Sequence, residues 1–99
     1  MKIEILSQAE GDLISGHRFY EKQSPGLGSY FFNSLLSDID SLRLYGGIHP
    51  IVFGLHRCLS RRFPFAIYYR IEGEIISIRA VLDCRRNPAF HERRLKKKA

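Results

Sequence analysis

Residues 62–83 read RFPFAIYYRIEGEIISIRAVLD, and this stretch decides the fold because its apolar residues recur at every second position. A period of two is typical of β-strands that bury one face. The pattern predicts two strands joined by a tight turn at Glu72-Gly73. In the first strand one face is expected to hold Phe65, Ile67, Tyr69 and Ile71, and the other Ala66, Tyr68 and Arg70. In the second strand one face is expected to hold Ile76, Ile78, Ala80 and Leu82, and the other Ile75, Ser77, Arg79 and Val81.

A third strand is predicted just before this stretch. Leu55, Arg57 and Leu59 alternate with His56 and Cys58, which again gives a period of two. The three runs follow one another with short connections, so we expect an antiparallel meander. Another short strand is predicted at Lys2–Leu6, where Ile and Leu are frequent.

Two helices are predicted between the first strand and the meander. Ser7-Gln8-Ala9-Glu10 has the spacing of a capping box, which predicts a helix from Ser7 to about Lys22. Ser24-Pro25 is a second start signal, for a helix that ends at Gly46-Gly47. The expected buried stripe of the first helix is Leu13, Ile14, His17 and Tyr20; that of the second is Leu27, Phe31, Phe32, Leu35, Leu36, Ile39 and Leu42. Gly11 and Gly16 are expected to weaken the first helix by about 1 kcal/mol each.

The chain is expected to close with a short helix. Asn87-Pro88 predicts its start, Leu95 its end, and the lysines of 96–98 suit its C-terminus. The predicted order is therefore β-α-α-β-β-β with a short C-terminal helix. It gives an α+β fold in which the meander packs on a helical hairpin, as one domain over residues 1–99.

Charge is distributed unevenly along the chain. Residues 1–50 hold four Lys or Arg and six Asp or Glu, whereas residues 51–99 hold twelve and four, within a net charge of +6. A basic second half favours polyanionic or acidic partners, the alternative being a surface that only aids solubility. No apolar run approaches the roughly 18 residues of a membrane span, and no export signal is recognisable, so we expect no membrane association and a cytoplasmic location. Cys58 and Cys84 fit a reducing compartment.

Motifs for cofactor or metal chemistry are not found in the sequence, so we expect no cofactor. The histidines His17, His49, His56 and His91 lack metal-ligand spacing. Arginine is the residue type that stands out, and its planar fork pairs with carboxylate or phosphate. The arginines in or next to the first and last meander strands are Arg57, Arg61, Arg62, Arg79, Arg85 and Arg86, with Arg93 and Arg94 in the last helix. They form either one cationic surface or scattered charges with acidic partners.

A metal-free ribonuclease needs groups that move protons and a cation for the phosphate. Arg57 and Arg85 could serve the phosphate, and His91 could move a proton. Tyr68 and Tyr69 are candidates for a second proton carrier, but tyrosines in strands more often serve packing. This set is the alternative to a protein without catalytic residues.

Two motifs stand out in the second half of the chain, RFPFAIYYRI at 62–71, which a Glu-Gly turn follows, and AVLDCRRNP at 80–88. Together with Ala9–Leu13 and the Ser-Pro-Gly-Leu-Gly of 24–28, they resemble the ParE/RelE superfamily of bacterial toxins. The resemblance implies a sheet packed on a helical hairpin. Many relatives carry His in place of Asp83 or Cys84, and Asp in place of Asn87.

The resemblance implies a toxin of a type II toxin–antitoxin system with a cognate antitoxin as partner. Members of the ParE-like branch inhibit DNA gyrase by binding, whereas RelE-like members cut mRNA on the ribosome with basic residues and a late Tyr or His. This sequence is closer to the ParE-like pattern, so we predict that the chain binds gyrase through Arg61, Arg62, Arg85 and Arg86. The resemblance also implies a role in plasmid stabilization. The alternatives are a RelE-like endoribonuclease that uses Arg57, Arg85 and His91, and an inactive homologue that only binds the antitoxin.

Overall fold

The computed structural model describes residues 1–96, which form five strands and four helices. In chain order the elements are β1 (Lys2–Ile5), α1 (Ser7–Gln23), α2 (Leu27–Asp40), α3 (Leu42–Tyr45), β2 (Ile51–Val52), β3 (Leu55–Leu59), β4 (Phe65–Glu72), β5 (Ile75–Asp83) and α4 (Pro88–Lys96). Two lysines of the predicted basic tail, Lys97 and Lys98, lie outside the described residues. Across residues 1–96, no helix is both long enough and apolar enough to cross a lipid bilayer.

The strands form one sheet in the order β1-β5-β4-β3-β2. The antiparallel meander of β3, β4 and β5 is confirmed, and β1 joins it in parallel alongside β5. β2 is a two-residue edge strand that the sequence analysis did not predict. A tight turn joins it to β3 through Phe53 and Gly54, whose φ angles of 54° and 82° both lie in the left-handed region.

The main core lies between the sheet and the hairpin of α1 and α2. From the helices it takes Ala9, Leu13, Tyr20, Phe31, Leu35 and Ile39, and from the meander Cys58, Phe65, Ile67, Tyr69, Ile76, Ile78 and Val81. The predicted stripe of α2 is confirmed. In α1 the stripe was predicted one residue too wide, since Ile14 is 42% exposed while Gly16 is buried.

The predicted faces of β5 are wrong after Ile78. A β-bulge in the β4–β5 pairing sets Tyr69 opposite Ile78 but Tyr68 opposite Ala80, so Arg79 is an extra residue. The alternation therefore shifts by one position. Val81 joins the main core, and Ala80 and Leu82 turn to the opposite face of the sheet.

That opposite face carries a second, smaller core. It consists of Leu55, Ala66, Tyr68, Ala80 and Leu82, and Phe90 and Leu95 of α4 pack on it. The short terminal helix thus covers the sheet on the side away from the hairpin. Its predicted start is confirmed, because the Asn87 side chain accepts a hydrogen bond from Ala89 N–H at 2.7 Å.

The side-chain caps predicted for the other two helices are wrong, although α1 does start at Ser7 as predicted. No side-chain cap forms at α1, which begins with Ser7 already inside the helix. Ser24-Pro25 does not open α2 either, because the Glu21 carboxylate accepts hydrogen bonds from the N–H groups of Gly26 and Gly28 at 3.0 and 2.9 Å. These bonds hold the pKa of Glu21 below its usual range. Helix α2 also ends at Asp40, and α3 is a separate turn.

Candidate functional site

Two loops with adjacent arginines lie at one end of the sheet, which we call the arginine end. Residues 60–64 connect β3 to β4, and residues 84–87 connect β5 to α4. Cys84 N–H donates a hydrogen bond to the carbonyl of Pro64 at 2.7 Å, which ties the loops together. The fold therefore brings the predicted target-binding residues to the same end of the molecule, all with exposed side chains: Arg61, Arg62, Arg85 and Arg86.

Arg85 differs from the other three because its charge is already paired. Its Nε and Nη2 atoms donate to the carboxylate of Asp83 at 2.9 and 2.7 Å. Hydrogen bonds from Arg85 hold the pKa of Asp83 below its usual range, and Asp83 in turn raises the pKa of Arg85. Arg85 Nη2 also lies 3.4 Å from the hydroxyl of Tyr20, on the hairpin side of the sheet.

The remaining arginines of this end have aromatic or backbone contacts. The guanidinium of Arg86 lies 3.8 Å from the ring centroid of Phe90, and that of Arg62 lies 5.9 Å from the ring of Tyr30. Arg61 is held by its backbone, whose N–H donates to the buried carboxylate of Asp38. None of these three guanidinium groups forms an ion pair within residues 1–96. The arginine end therefore carries three arginines without an ion pair among the described residues.

A cleft of about 200 Å³ opens beside α4, on the face of the sheet away from the helical hairpin. Its lining comprises Val52, Phe53, Arg57, Tyr68, Cys84, Arg86, Pro88 and His91. Arg57 Nε donates to the hydroxyl of Tyr68 at 3.2 Å, and this hydroxyl lies 2.9 Å from His91 Nδ1. The three side chains thus form a continuous hydrogen-bonded line.

The partners of His91 determine where its proton lies. Nε2 is 2.8 Å from the carbonyl oxygen of Asp83, which can only accept, so Nε2 carries the hydrogen. In the neutral ring Nδ1 then accepts from Tyr68, whose oxygen accepts in turn from Arg57. His91 is 4% exposed, and both ring nitrogens are occupied. In this arrangement the ring is a structural link between α4 and the sheet.

The residues of the nuclease alternative are only partly brought together. Arg57 and His91 share the cleft, but the guanidinium of Arg85 is bound to Asp83 and points toward Tyr20. Tyr68 completes the hydrogen-bonded line, and the sequence analysis had favoured a packing role for it. Within the part of the chain that the structure describes, no three His, Cys, Asp or Glu side chains converge as metal ligands. Both cysteines are free, one on each face of the sheet.

The position of α4 depends on one carboxylate of α1. Asp12 accepts two hydrogen bonds from Arg94, both at 2.9 Å, and one from Val81 N–H at 3.0 Å. β1 pairs with β5 only as far as Ile78, so the Val81 N–H has no strand partner there. In the sequence, Asp12 stands out only as part of the resemblance at Ala9–Leu13. Its partners lie 69 and 82 positions away, beyond the reach of any local pattern.

No protein-family model and no curated protein matches the sequence. A solved structure described as the chromosomal ParDE TA system from P. aeruginosa is similar in three dimensions. The TM-score is 0.73 at 19% identity, over 82% of this chain and 92% of that one. The sequence resemblance stated above is confirmed at the level of the fold. The chain therefore has the ParE/RelE-like fold, with a sheet packed on a helical hairpin and a short helix at its C-terminus.

Proposed function

We propose that the chain is the toxin of a type II toxin–antitoxin system and that it inhibits DNA gyrase by binding. The observation that carries the proposal is the arginine end, where Arg61, Arg62 and Arg86 display charges without an ion-pair partner among residues 1–96. Arg85 belongs to the same surface with its charge partly neutralised. The fold shared with the ParDE structure supports the assignment.

Binding rather than catalysis fits the side chains of the cleft. A proton carrier must exchange its proton with substrate, yet His91 is buried and bonded at both nitrogens. A binding mechanism requires only a complementary surface. Guanidinium groups suit acidic patches or the phosphates of DNA held by gyrase. The inhibition we propose is therefore stoichiometric.

A supercoiling assay with purified gyrase tests this proposal. Wild-type protein is expected to inhibit at close to one toxin per gyrase. The double substitution Arg61→Glu/Arg62→Glu should weaken inhibition strongly, because it reverses two charges at the arginine end. Arg70→Glu is the control for a charge reversal elsewhere, to be compared with each single variant Arg61→Glu and Arg62→Glu, since Arg70 is an exposed β4 arginine near the opposite end of the strand. Normal supercoiling at an excess of wild-type protein would contradict the proposal.

The net charge of +6 supports an acidic antitoxin as the second partner. Opposite charges accelerate association and exclude wrong partners. Co-expression of a neighbouring open reading frame with an acidic C-terminal half should restore the growth of cells that produce the toxin. Persistent toxicity together with a lack of complex formation would argue against this partner.

A ribosome-associated endoribonuclease is the second candidate, favoured by the line of Arg57, Tyr68 and His91 in the cleft. In translating extracts it would leave cut mRNA, and His91→Ala would slow the cutting greatly. Intact mRNA with inhibited gyrase would exclude this candidate. Failure of both assays, with an antitoxin still bound, would indicate an inactive homologue.

A further inference from the structure

The strand β1 forms an open edge of the sheet. It pairs with β5 on one side, and the sheet order ends there within the described residues. The N–H groups of Lys2 and Leu6 donate to carbonyls of the β5 side, Glu74 and Ile78. Backbone groups alternate in direction along a strand, so those of Ile3 and Ile5 point away from the sheet. Among residues 1–96 these groups have no strand partner, which leaves two donors and two acceptors open at the edge.

The side chains of β1 alternate between opposite faces. Ile3 and Ile5 lie on the hairpin face, only partly buried against the main core. Lys2 and Glu4 lie on the other face and are exposed, and neither forms an ion pair among residues 1–96. The edge thus carries one positive and one negative charge, two positions apart.

We propose that a second copy of this chain pairs with this edge, β1 against β1 in antiparallel orientation about a two-fold axis at Ile3. In this register the N–H of each Ile3 donates to the carbonyl of the other. Lys2 of each copy lies opposite Glu4 of the other, so the pairing forms two attractive cross-strand pairs. The partly exposed Ile3 side chains meet on the hairpin face.

The register follows from the backbone. Hydrogen-bonded pairs form only between residues whose backbone groups point outward, so an outward residue must lie opposite another outward residue. This holds when the two-fold axis passes through Ile3, through Glu4, which sets Ile3 opposite Ile5, or through Lys2, which sets Ile3 opposite Met1. An axis at Lys2 sets Lys2 opposite Lys2, and an axis at Glu4 sets Glu4 opposite Glu4. Like charges opposite each other are destabilising. The axis at Ile3 is the one of the three in which opposite charges face each other.

Apolar surface beside the edge supports association at this place. Arg43 of α3 donates to the carbonyl of Met1 at 2.9 Å, which sets α3 against the start of β1. In the same turn Leu44 is 82% exposed, and Met1 is 45% exposed. A second copy at the edge would remove part of this surface from water. The short strand makes the dimer a weak, concentration-dependent one.

Charge reversal at the two exposed positions tests the proposal without disturbing the monomer core. Sedimentation velocity over a range of concentrations should show a monomer–dimer equilibrium for the wild type. Lys2→Glu or Glu4→Lys alone should weaken dimerisation about tenfold, because each creates two like-charge pairs. The double variant Lys2→Glu/Glu4→Lys should restore it, and a tagged Lys2→Glu protein should capture untagged Glu4→Lys protein.

Amide hydrogen exchange supplies a site-specific readout of the same edge. The amides of Ile3 and Ile5 should be protected at high protein concentration and exchange rapidly at low concentration. A protein that is monomeric at every concentration would overturn the proposal. A dimer that ignores all three charge variants would also overturn it, since the copies would then meet elsewhere.

Discussion

Gly16 and Gly11 lie in the same helix, yet replacing each with Ala should change stability in opposite directions. A Cβ atom at Gly16 would lie 2.4 Å from Cε2 and 2.5 Å from Cζ of Phe31, well inside van der Waals contact. The ring of Phe31 cannot yield easily. It is fully buried, and its centroid lies 5.1 Å from the rings of Tyr20 and Phe63 and 4.9 Å from that of Phe65.

The magnitude follows from two opposing effects. Ala in place of Gly within a helix stabilises by about 1 kcal/mol, because the unfolded chain loses conformational freedom. Overpacking a tight core costs about 1–3 kcal/mol. The net loss lies between about 0 and 2 kcal/mol, and because the aromatic cluster leaves little room we expect Gly16→Ala to fall in its upper half, at about 1–2 kcal/mol. In a domain of this size that lowers Tm by several degrees, at about 4–8 °C per kcal/mol.

Gly11→Ala is the matched control. Gly11 is exposed, and nothing lies within 4 Å of a Cβ atom placed there. This variant should gain about 0.5–1 kcal/mol from the helix propensity alone. Urea denaturation followed by circular dichroism measures both variants. A stabilised Gly16→Ala protein would refute the reasoning, because it would mean that the two helices of the hairpin do not approach as closely as described.

Three further variants address the polar contacts. Asp12→Asn should lower the free energy of unfolding by about 2 kcal/mol in urea titrations, because Arg94 loses its charged partner. An unchanged urea midpoint would contradict the conclusion that Asp12 holds α4 in place. Burial, together with the nearby imidazole of His56, holds the pKa of His49 below the ordinary 6.5. The unfolded chain therefore binds that proton more readily, so stability should fall as pH drops below about 6.5, and His49→Gln should remove this part of the dependence. Tyr68→Phe should cost about 1–2 kcal/mol, because the hydroxyl that bonds His91 is lost, while gyrase inhibition stays unchanged; loss of inhibition in a folded variant would count against the arginine end as the binding surface.

The sequence predicted the parts of the fold that depend on periodicity. The meander and the stripe of α2 follow from residues two or three to four positions apart, and both are confirmed. The faces of β5 were predicted correctly as far as Ile78 and wrongly beyond it. The bulge at Arg79 arises from how β5 pairs with β4, which an alternating pattern does not record. The bulge turns Ala80 and Leu82 toward α4, and the second core that they help to form there was not predicted.

Local signals predicted the helix caps less well. Ser7 and Ser24 have the residue type of a cap, yet neither side chain caps a helix. The N–H groups of Gly26 and Gly28 at the start of α2 are capped by Glu21 of α1, which lies five and seven positions earlier in the chain. The turn between the two helices brings them together. The cap predicted at Asn87 is confirmed because its partner, Ala89, is two residues away, so that the hydrogen bond needs no tertiary contact.

The sequence indicates which residue types are candidates for the site, but it does not indicate which residues they contact. Sequence alone gave Arg85 and Arg86 the same role, whereas the structure pairs the first with Asp83 and stacks the second on Phe90. The nuclease alternative made His91 a candidate proton carrier, and the sequence did not reveal that its ring bonds to Tyr68 and to a backbone carbonyl. These partners are decided by how α4 lies on the sheet, which depends in turn on contacts distant in sequence.

The polar network around α4 gives the arginine end its rigidity, and this bears on how it could bind. Asp83 accepts from both Arg85 and His91, through its carboxylate and its carbonyl respectively. Cys84 is tied to Pro64, and Asn87 caps the next helix. The loop 84–87 is therefore fixed at both ends before a partner arrives, so little backbone entropy remains to be lost on binding. The same rigidity opposes the rearrangement that would free His91 for proton transfer, and both effects favour a protein that acts by occupying its target.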